Sequence, residues 1–309
     1  MVHSKFADAL PYFPQKIRQP LQAIPKDTAD QIQEIRLRIG QSVQAVKGGK
    51  AYALTWNGTL APLQTSAIVV QKQDIDALFQ NLCCHSVHSR ETAIRQGFLT
   101  AAGGNRAGIC GTAVMQHHKI ETIRTVSSIN FRIASERIGC AAALMQLDPF
   151  RKNMGGILIA GPPASGKTTL LRDLTRILSQ TYRIALLDSR GELAAIQNGI
   201  PQFDLGMQTD ILDAYPKAEG IEIAVRVMSP EILICDEIGD ADEADALLQS
   251  VHTGVRIIAT AHAGSIAELY ERPQILRLIR AGVFHDAVLL GSGNACGQVL
   301  ASQPLRGQI

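Results

Sequence analysis

Apolar and polar positions follow two different rhythms in the two halves of the chain. In the first half the period is two. Along QEIRLRIGQSVQAVKGGK, Ile35, Leu37 and Ile39 alternate with Glu34, Arg36 and Arg38, as in a strand with one buried face. Gly40 interrupts the run, and Gly48-Gly49 suits the tight turn of a hairpin. YALTWNGTLAPL repeats the device around Asn57-Gly58, and QGFLTAAGGNRAGICGTAVM repeats it around Gly103-Gly104-Asn105. Between them, KQDIDALFQNLCCHSV spaces its apolar residues at helical intervals. The pattern predicts a smaller N-terminal α+β domain. SSINFRIASERIGCAAAL then turns from strand-like to helical, which places the expected boundary there and gives domains 1–135 and 136–309.

In the second half the strands are apolar throughout. GGILIAG, YRIALLD, EILICDE and VRIIATAH are near-continuous runs, as in strands covered on both faces. GKTTLLRDLTRILSQ sets Leu170, Leu171, Leu174, Ile177 and Leu178 on one helical face. DADEADALLQSVHTG opens on Asp240 as N-cap, with Glu243 completing a capping box, and closes on Gly254. Strands alternating with helices predict an α/β domain built on a mostly parallel sheet.

Length and composition narrow the class. A chain of 309 residues suits two domains, and 46% hydrophobic with 19% charged residues suits a soluble protein with a substantial core. A net charge of +2 leaves no electrostatic footprint for a polyanion, so no nucleic acid is expected as a partner. No apolar run approaches the length of a membrane-spanning helix. The start, MVHSKFADALPYFPQ, lacks the layout of a signal peptide, and its Phe6, Leu10, Tyr12 and Phe13 are expected to pack on their own domain. Cys83, Cys84, His85 and His88 cluster, but no second ligand pair follows. No zinc is therefore expected, and the six cysteines read as small thiols in a reducing cytosol.

The chemistry begins at residue 161. Gly161, Pro162, Pro163, Ala164, Ser165, Gly166, Lys167 and Thr168 fit the P-loop pattern, with Thr169 next. The two glycines permit a turn that aims backbone N–H groups inward, and the following helix adds its positive end. Lys167 would reach the β- and γ-phosphates of a nucleoside triphosphate, and the Thr168 hydroxyl would bind Mg2+. EILICDEIGD ends a strand in an acid pair. Asp236 would hold the metal through its water shell, and Glu237 would orient or deprotonate the attacking water. Asp188 and Glu192, after another strand end, compete for the role of base. Thr260 and His262 close a fourth strand, where they would sense the γ-phosphate.

A guanine-reading N-K-x-D stretch and an arginine-rich acceptor lid are both missing from the sequence. The acid pair with a polar strand end favours hydrolysis by activated water, the pattern of RecA-like motor ATPases. Such motors commonly form rings in which a neighbour's arginine completes the site. Arg106, Arg132 and Arg226 are the candidates.

The order of P-loop, LLDSRGE, ICDEIGD and ATAHAGS resembles the secretion ATPases of type II and type IV systems. EIRLRIGQ, IRQGFLTAAGGNRAGICGTAV, VSSINFRIA, DLGMQTDILDAYPKAEGIEIAVRVMSPEILICDEIG and ERPQILRLIRAGVF look like the stage III sporulation protein AA family of endospore formers. The likeness runs over roughly residues 30–290. It implies an ATPase using ATP and Mg2+, a homo-oligomer in the form of a hexameric ring, and membrane proteins of the same sporulation operon as partners. It also implies a place on the mother-cell side of the forespore membrane, where the ring powers or gates a channel. An ATP-binding assembly scaffold with little turnover would need the same cradle; a RecA-like motor on nucleic acid would need a basic, aromatic groove. Three features depart from the resemblance. Asp236-Glu237-Ile238-Gly239-Asp240 lacks the arginine of the secretion-ATPase acid motif, Asp188-Ser189-Arg190-Gly191-Glu192 lacks one acid of the family's Asp-Glu-Arg-Ser-Glu, and no tetracysteine is present. The second departure favours Glu237 as the base.

Overall fold

The computed structural model describes residues 2–87, 90–116, 119–151, 155–250 and 253–305. It divides into two compact units: Val2–Glu136 with Gln197–Gln202, and a second that runs from Arg137 to Ile196 and resumes at Phe203.

The first unit is an antiparallel sheet with helices on its buried face. Its strands are β1 Ile32–Arg38, β2 Gln44–Lys47, β3 Lys50–Leu54, β4 Leu60–Ala61, β5 Phe98–Ala101, β6 Asn105–Gln116 and β7 Lys119–Arg132, in the order β4-β3-β2-β1-β7-β6-β5. The alternation along β1 does what its period requires. Ile35 and Leu37 are fully buried against Phe131 of β7, Ile17 and Leu21 of helix α1 (Gln15–Gln22), and Ile75 and Leu78 of helix α2 (Lys72–Leu82). Ile39 breaks the pattern, because it lies past the strand end where Gly40 turns the chain at φ +79°, and it is exposed. Gly48 and Gly49, at φ +56° and +74°, make the two-residue turn between β2 and β3. Phe13 packs with its ring 5.1 Å from that of Phe131, so the N-terminal segment belongs to this core.

The helical reading of residues after Cys140 is corrected: the chain makes turns and one 3-10 turn, Leu144–Gln146. The backbone N–H of Ala141 is drawn off to the buried carboxylate of Asp173 at 2.8 Å, which holds it outside a helical ladder.

The second unit contains β8 Ile157–Gly161, helix α3 Lys167–Leu178, β9 Ile184–Asp188, β10 Thr209–Asp213, helix α4 Lys217–Ile223, β11 Ile232–Cys235 and helix α5 Ala241–Ser250. It continues with β12 Arg256–His262, helices α6 Ile266–Glu271 and α7 Pro273–Arg280, β13 Asp286–Leu290 and β14 Val299–Pro304. The order is β10-β9-β11-β12-β8-β13-β14, parallel except for the final hairpin. Successive strand residues feed two cores. Leu158, Ala160, Leu187 and Leu233 pack towards α4, α5 and α7, while Ile157, Ile159, Leu186 and Ile234 pack towards α3. This double burial is why the strands are apolar throughout. Most consequential for chemistry is β12, which lies between the P-loop strand β8 and the acid strand β11. The C-terminal ends of all three open on one crevice.

Burial also sorts the cysteines. Cys84, Cys110 and Cys296 are exposed, whereas burial pushes the Cys83 and Cys140 thiols up to about 11 and the Cys235 thiol up to about 12. A thiol reagent at neutral pH should therefore label Cys84, Cys110 and Cys296 in the native protein, the half-buried Cys140 more slowly, and Cys83 and Cys235 only after unfolding, as mass spectrometry would read. The stability contributed by the three raised thiols is complete below their ordinary value of 9.0. It falls as pH rises towards about 12, because the unfolded chain sheds protons that the folded chain keeps.

Candidate functional site

Between β8 and α3 the backbone reverses through two left-handed residues, Ala164 at φ +59° and Gly166 at φ +88°. An alanine held there is strained, a cost that the surrounding structure must offset. Gly161 has no alternative, since a Cβ on it would lie 2.5 Å from Ser165 Oγ. Gly166 caps α3 without any side-chain bond, so the N–H groups of the first helical turn keep no cap other than what enters the loop. The Ser165 hydroxyl is fully buried and has no hydrogen-bond partner among the described residues. The loop between β13 and β14 braces this turn: Gly297 N–H donates to Ser165 O at 3.0 Å and the Cys296 thiol to Ala164 O at 3.3 Å. Lys167 Nζ donates to Gly161 O at 2.7 Å and Pro162 O at 2.9 Å. Burial holds its ammonium below the usual lysine range, while the charges of Glu237 and Asp236 pull the other way.

The acid side is built by β11 and β12 together. Asp236 is buried, and its Oδ1 accepts from Thr260 Oγ1 at 3.0 Å and from the Glu237 N–H at 2.8 Å. Glu237 N–H also reaches Thr260 Oγ1 at 2.9 Å. His262, two residues further along β12, bridges the two halves. Its Nδ1 lies 3.2 Å from Lys167 Nζ and its Nε2 lies 3.4 Å from Glu237 Oε1. The other carboxylate oxygen, Glu237 Oε2, pairs with Arg190 Nη1 at 3.0 Å. Lys217, from the first turn of α4, donates to the Glu237 carbonyl and pairs with Glu243 at 3.3 Å. The expected capping box closes one residue early: Glu243 N–H donates to Asp240 Oδ1, but the Glu243 carboxylate receives the N–H of Gly239.

The model of the family described as "Sporulation stage III, protein AA" matches residues 8–309. The chain belongs to that family. Stage III sporulation protein AA of Bacillus subtilis (strain 168) is 34% identical over 292 residues, 93% of this chain and 91% of that protein. Among solved structures, the chain resembles the Legionella pneumophila ATPase DotB (TM-score 0.55, 15% identity, 90% of this chain and 77% of that one). It also resembles the pilus retraction motor PilT with bound ADP (TM-score 0.57, 14% identity, 85% of this chain and 76% of that one). These two share its fold, the α/β P-loop fold of secretion and pilus ATPases.

In this Spore III AA chain the predicted residues fall into distinct places. Gly161 to Thr168, Asp236, Glu237 and His262 converge around one crevice. Thr168 and Thr169 lie half-buried on the first turn of α3. Asp188, which could rival Glu237 as base, stands at the end of β9. It is fully buried, and its two oxygens accept the N–H groups of Glu192, Leu193 and Ala194 at 2.8, 3.0 and 2.7 Å. Such a carboxylate builds a turn. Glu192 is held there by its backbone, its carbonyl accepting from Arg172 Nε at 3.2 Å. Arg106 and Arg132 belong to the first unit, facing one another in register across β6 and β7, with Arg106 4.7 Å over the Phe98 ring. Arg226 is exposed on the π-helical turn Ala224–Met228. His88 lies outside the described residues, and among these no three His, Cys, Asp or Glu side chains converge as a metal cluster would.

Sequence reasoning missed three charged participants: the Arg190 and Lys217 contacts, and Asp213. Asp213 lies opposite Asp188 at the ends of β9 and β10, and burial, then the Asp188 charge, raises its pKa. Lys217 did carry a signal, since a cation in the first turn of a helix opposes the helix dipole and calls for an anionic partner. Replacing Asp188 by alanine should lower conformational stability by about 2–4 kcal/mol, because buried N–H groups lose their acceptor; a fall in the urea midpoint of the full chain measures it.

Proposed function

We propose that this member of the Spore III AA family hydrolyses ATP with Mg2+ as a ring-forming motor or gate of the channel between mother cell and forespore. The observation that carries the reading is His262, set between Lys167 of the cradle and Glu237 of the acid strand. The residues fit the ligands: a buried Ser165 hydroxyl lacks a partner among the described residues, and the helix start is uncapped. Lys167 would exchange its carbonyl partners for the β- and γ-phosphates. Thr168 and Asp236 would hold the magnesium, which when bound neutralises phosphate charge. A water oxygen attacks the γ-phosphorus, the bond to the β–γ bridging oxygen breaks, and ADP leaves with that electron pair. Glu237 takes the water's proton, oriented by His262.

The family relation supports the place of action on the mother-cell side of the forespore membrane, with membrane proteins of the same operon as partners. The fold neighbours, one named an ATPase and one a pilus retraction motor, support turnover and movement. In this reading residues 136–309 form the motor and residues 1–135 the docking domain. Six subunits close the ring, with Arg106, Arg132 or Arg226 of a neighbour facing the terminal phosphate. No helix among the described residues is long and apolar enough to cross a membrane.

Phosphate release by the wild type, Lys167→Ala and Glu237→Gln tests the proposal. Glu237→Gln should lose about 100-fold or more in rate while still binding nucleotide, and Lys167→Ala should lose binding. Equal rates for wild type and Glu237→Gln would remove Glu237 as the base. Binding without release by the wild type, with and without membrane partners, would leave an ATP-binding assembly scaffold instead.

A further inference from the structure

Arg190 is a cation at the crevice, beside Lys217, that neither the P-loop pattern nor the acid pair accounts for. It lies on the turn after β9, which β11 separates from β12 and β11 and β12 together separate from β8, and its Nη1 is 3.0 Å from Glu237 Oε2. The two oxygens of Glu237 are therefore divided, Oε1 to His262 and Oε2 to Arg190. A carboxylate paired on both oxygens is oriented but is a poor acceptor for a water's proton.

The turn and the side chain differ in their constraint. Asp188 ties down the far side of the turn through the N–H groups of Glu192, Leu193 and Ala194. Gly191 at φ +60° forms the turn tip, with nothing within 4 Å of where a Cβ would stand. The Arg190 side chain itself is 57% exposed against 22% for Glu237. The more solvent-exposed partner of the pair is thus the arginine. A planar guanidinium with five donors matches a phosphate at least as well as it matches a carboxylate.

We propose that Arg190 is a positioning residue that exchanges the Glu237 carboxylate, its partner in this structure, for the terminal phosphate of a bound triphosphate, and so releases Glu237 to take the proton. The proposal rests on Glu237 being the base. It adds that occupancy by a triphosphate, and not by a diphosphate, unlocks that base.

Calorimetric titration of the full chain with Mg-ADP and with magnesium and the imido analogue of ATP, which is not hydrolysed, reads the exchange without needing turnover. Glu237→Gln removes the charge that competes for Arg190. It should bind the triphosphate analogue about two- to five-fold more tightly than wild type, the range of a partly exposed ion pair, and bind ADP unchanged. Arg190→Gln should weaken the analogue and spare ADP, and in the Arg190→Gln/Glu237→Gln double variant the tightening should vanish. In steady state, Arg190→Gln should lower kcat by roughly ten-fold or more, and Arg190→Lys should restore part of it. Equal effects on ADP and the analogue, or a tightening that survives in the double variant, would overturn the exchange and leave Arg190 structural. Binding of neither nucleotide by the wild type would overturn this inference and the ATPase reading together. If the exchange holds while Glu237→Gln hydrolyses at the wild-type rate, the assignment of the base fails and the phosphate contact of Arg190 stands.

Discussion

The hydrogen bond from Thr260 to Asp236 ties the acid strand to its neighbour, and the geometry of the crevice depends on it. β11 carries the acids and β8 carries the cradle, but the two strands do not touch; β12 runs between them. A side chain at the end of β12 is therefore the shortest connection between phosphate-binding and acid groups. Thr260 fixes Asp236 and the Glu237 backbone on one side, and His262 reaches Lys167 on the other. A parallel sheet makes this possible because its strands end on the same side, where irregular backbone is affordable and polar groups face a crevice.

Charge is crowded at this place. Lys167, Arg190, Lys217 and His262 surround Asp236 and Glu237, and several of these groups are largely removed from water. The arrangement avoids an isolated buried charge by giving each group at least one opposite or hydrogen-bonding neighbour. Lys167 shows the tension, since burial disfavours its ammonium while two carboxylates favour it. The unpartnered Ser165 hydroxyl and the strained Ala164 mark the same loop as one built around something it must receive.

The chain belongs to the Spore III AA family, and its second unit shares its fold with secretion and pilus ATPases. The N-terminal unit is built on different physics. Its antiparallel sheet buries one face on helices, as in β1, where Ile35 and Leu37 go inward and the charged neighbours stay outside. The short stretch Gln197–Gln202 belongs to it, held by Gln197 on the Tyr12 hydroxyl and by Gln202 on the Gly103 N–H.

Periodicity and turn residues determined a great deal alone. Strands β1, β8, β9, β11 and β12 and helices α2, α3 and α5 were legible, because a strand buried on both faces must be apolar throughout and an amphipathic helix must repeat near four. The P-loop was legible because its glycines answer a local backbone demand. Elements such as β10, α4, α6, β13 and β14 left no clear rhythm, whereas α7 carries a helical one in Ile275, Leu278 and Ile279. The site divides in the same way. That Lys167, Asp236, Glu237 and His262 carry chemistry follows from residue type at strand ends. Only the tertiary structure decided that β12 separates β8 from β11, that Asp188 is consumed by its own turn, and that Arg190 holds Glu237. Local sequence encodes which residues end a strand. Which strands lie side by side is settled by the burial of whole faces, and that is a property of the chain folded together.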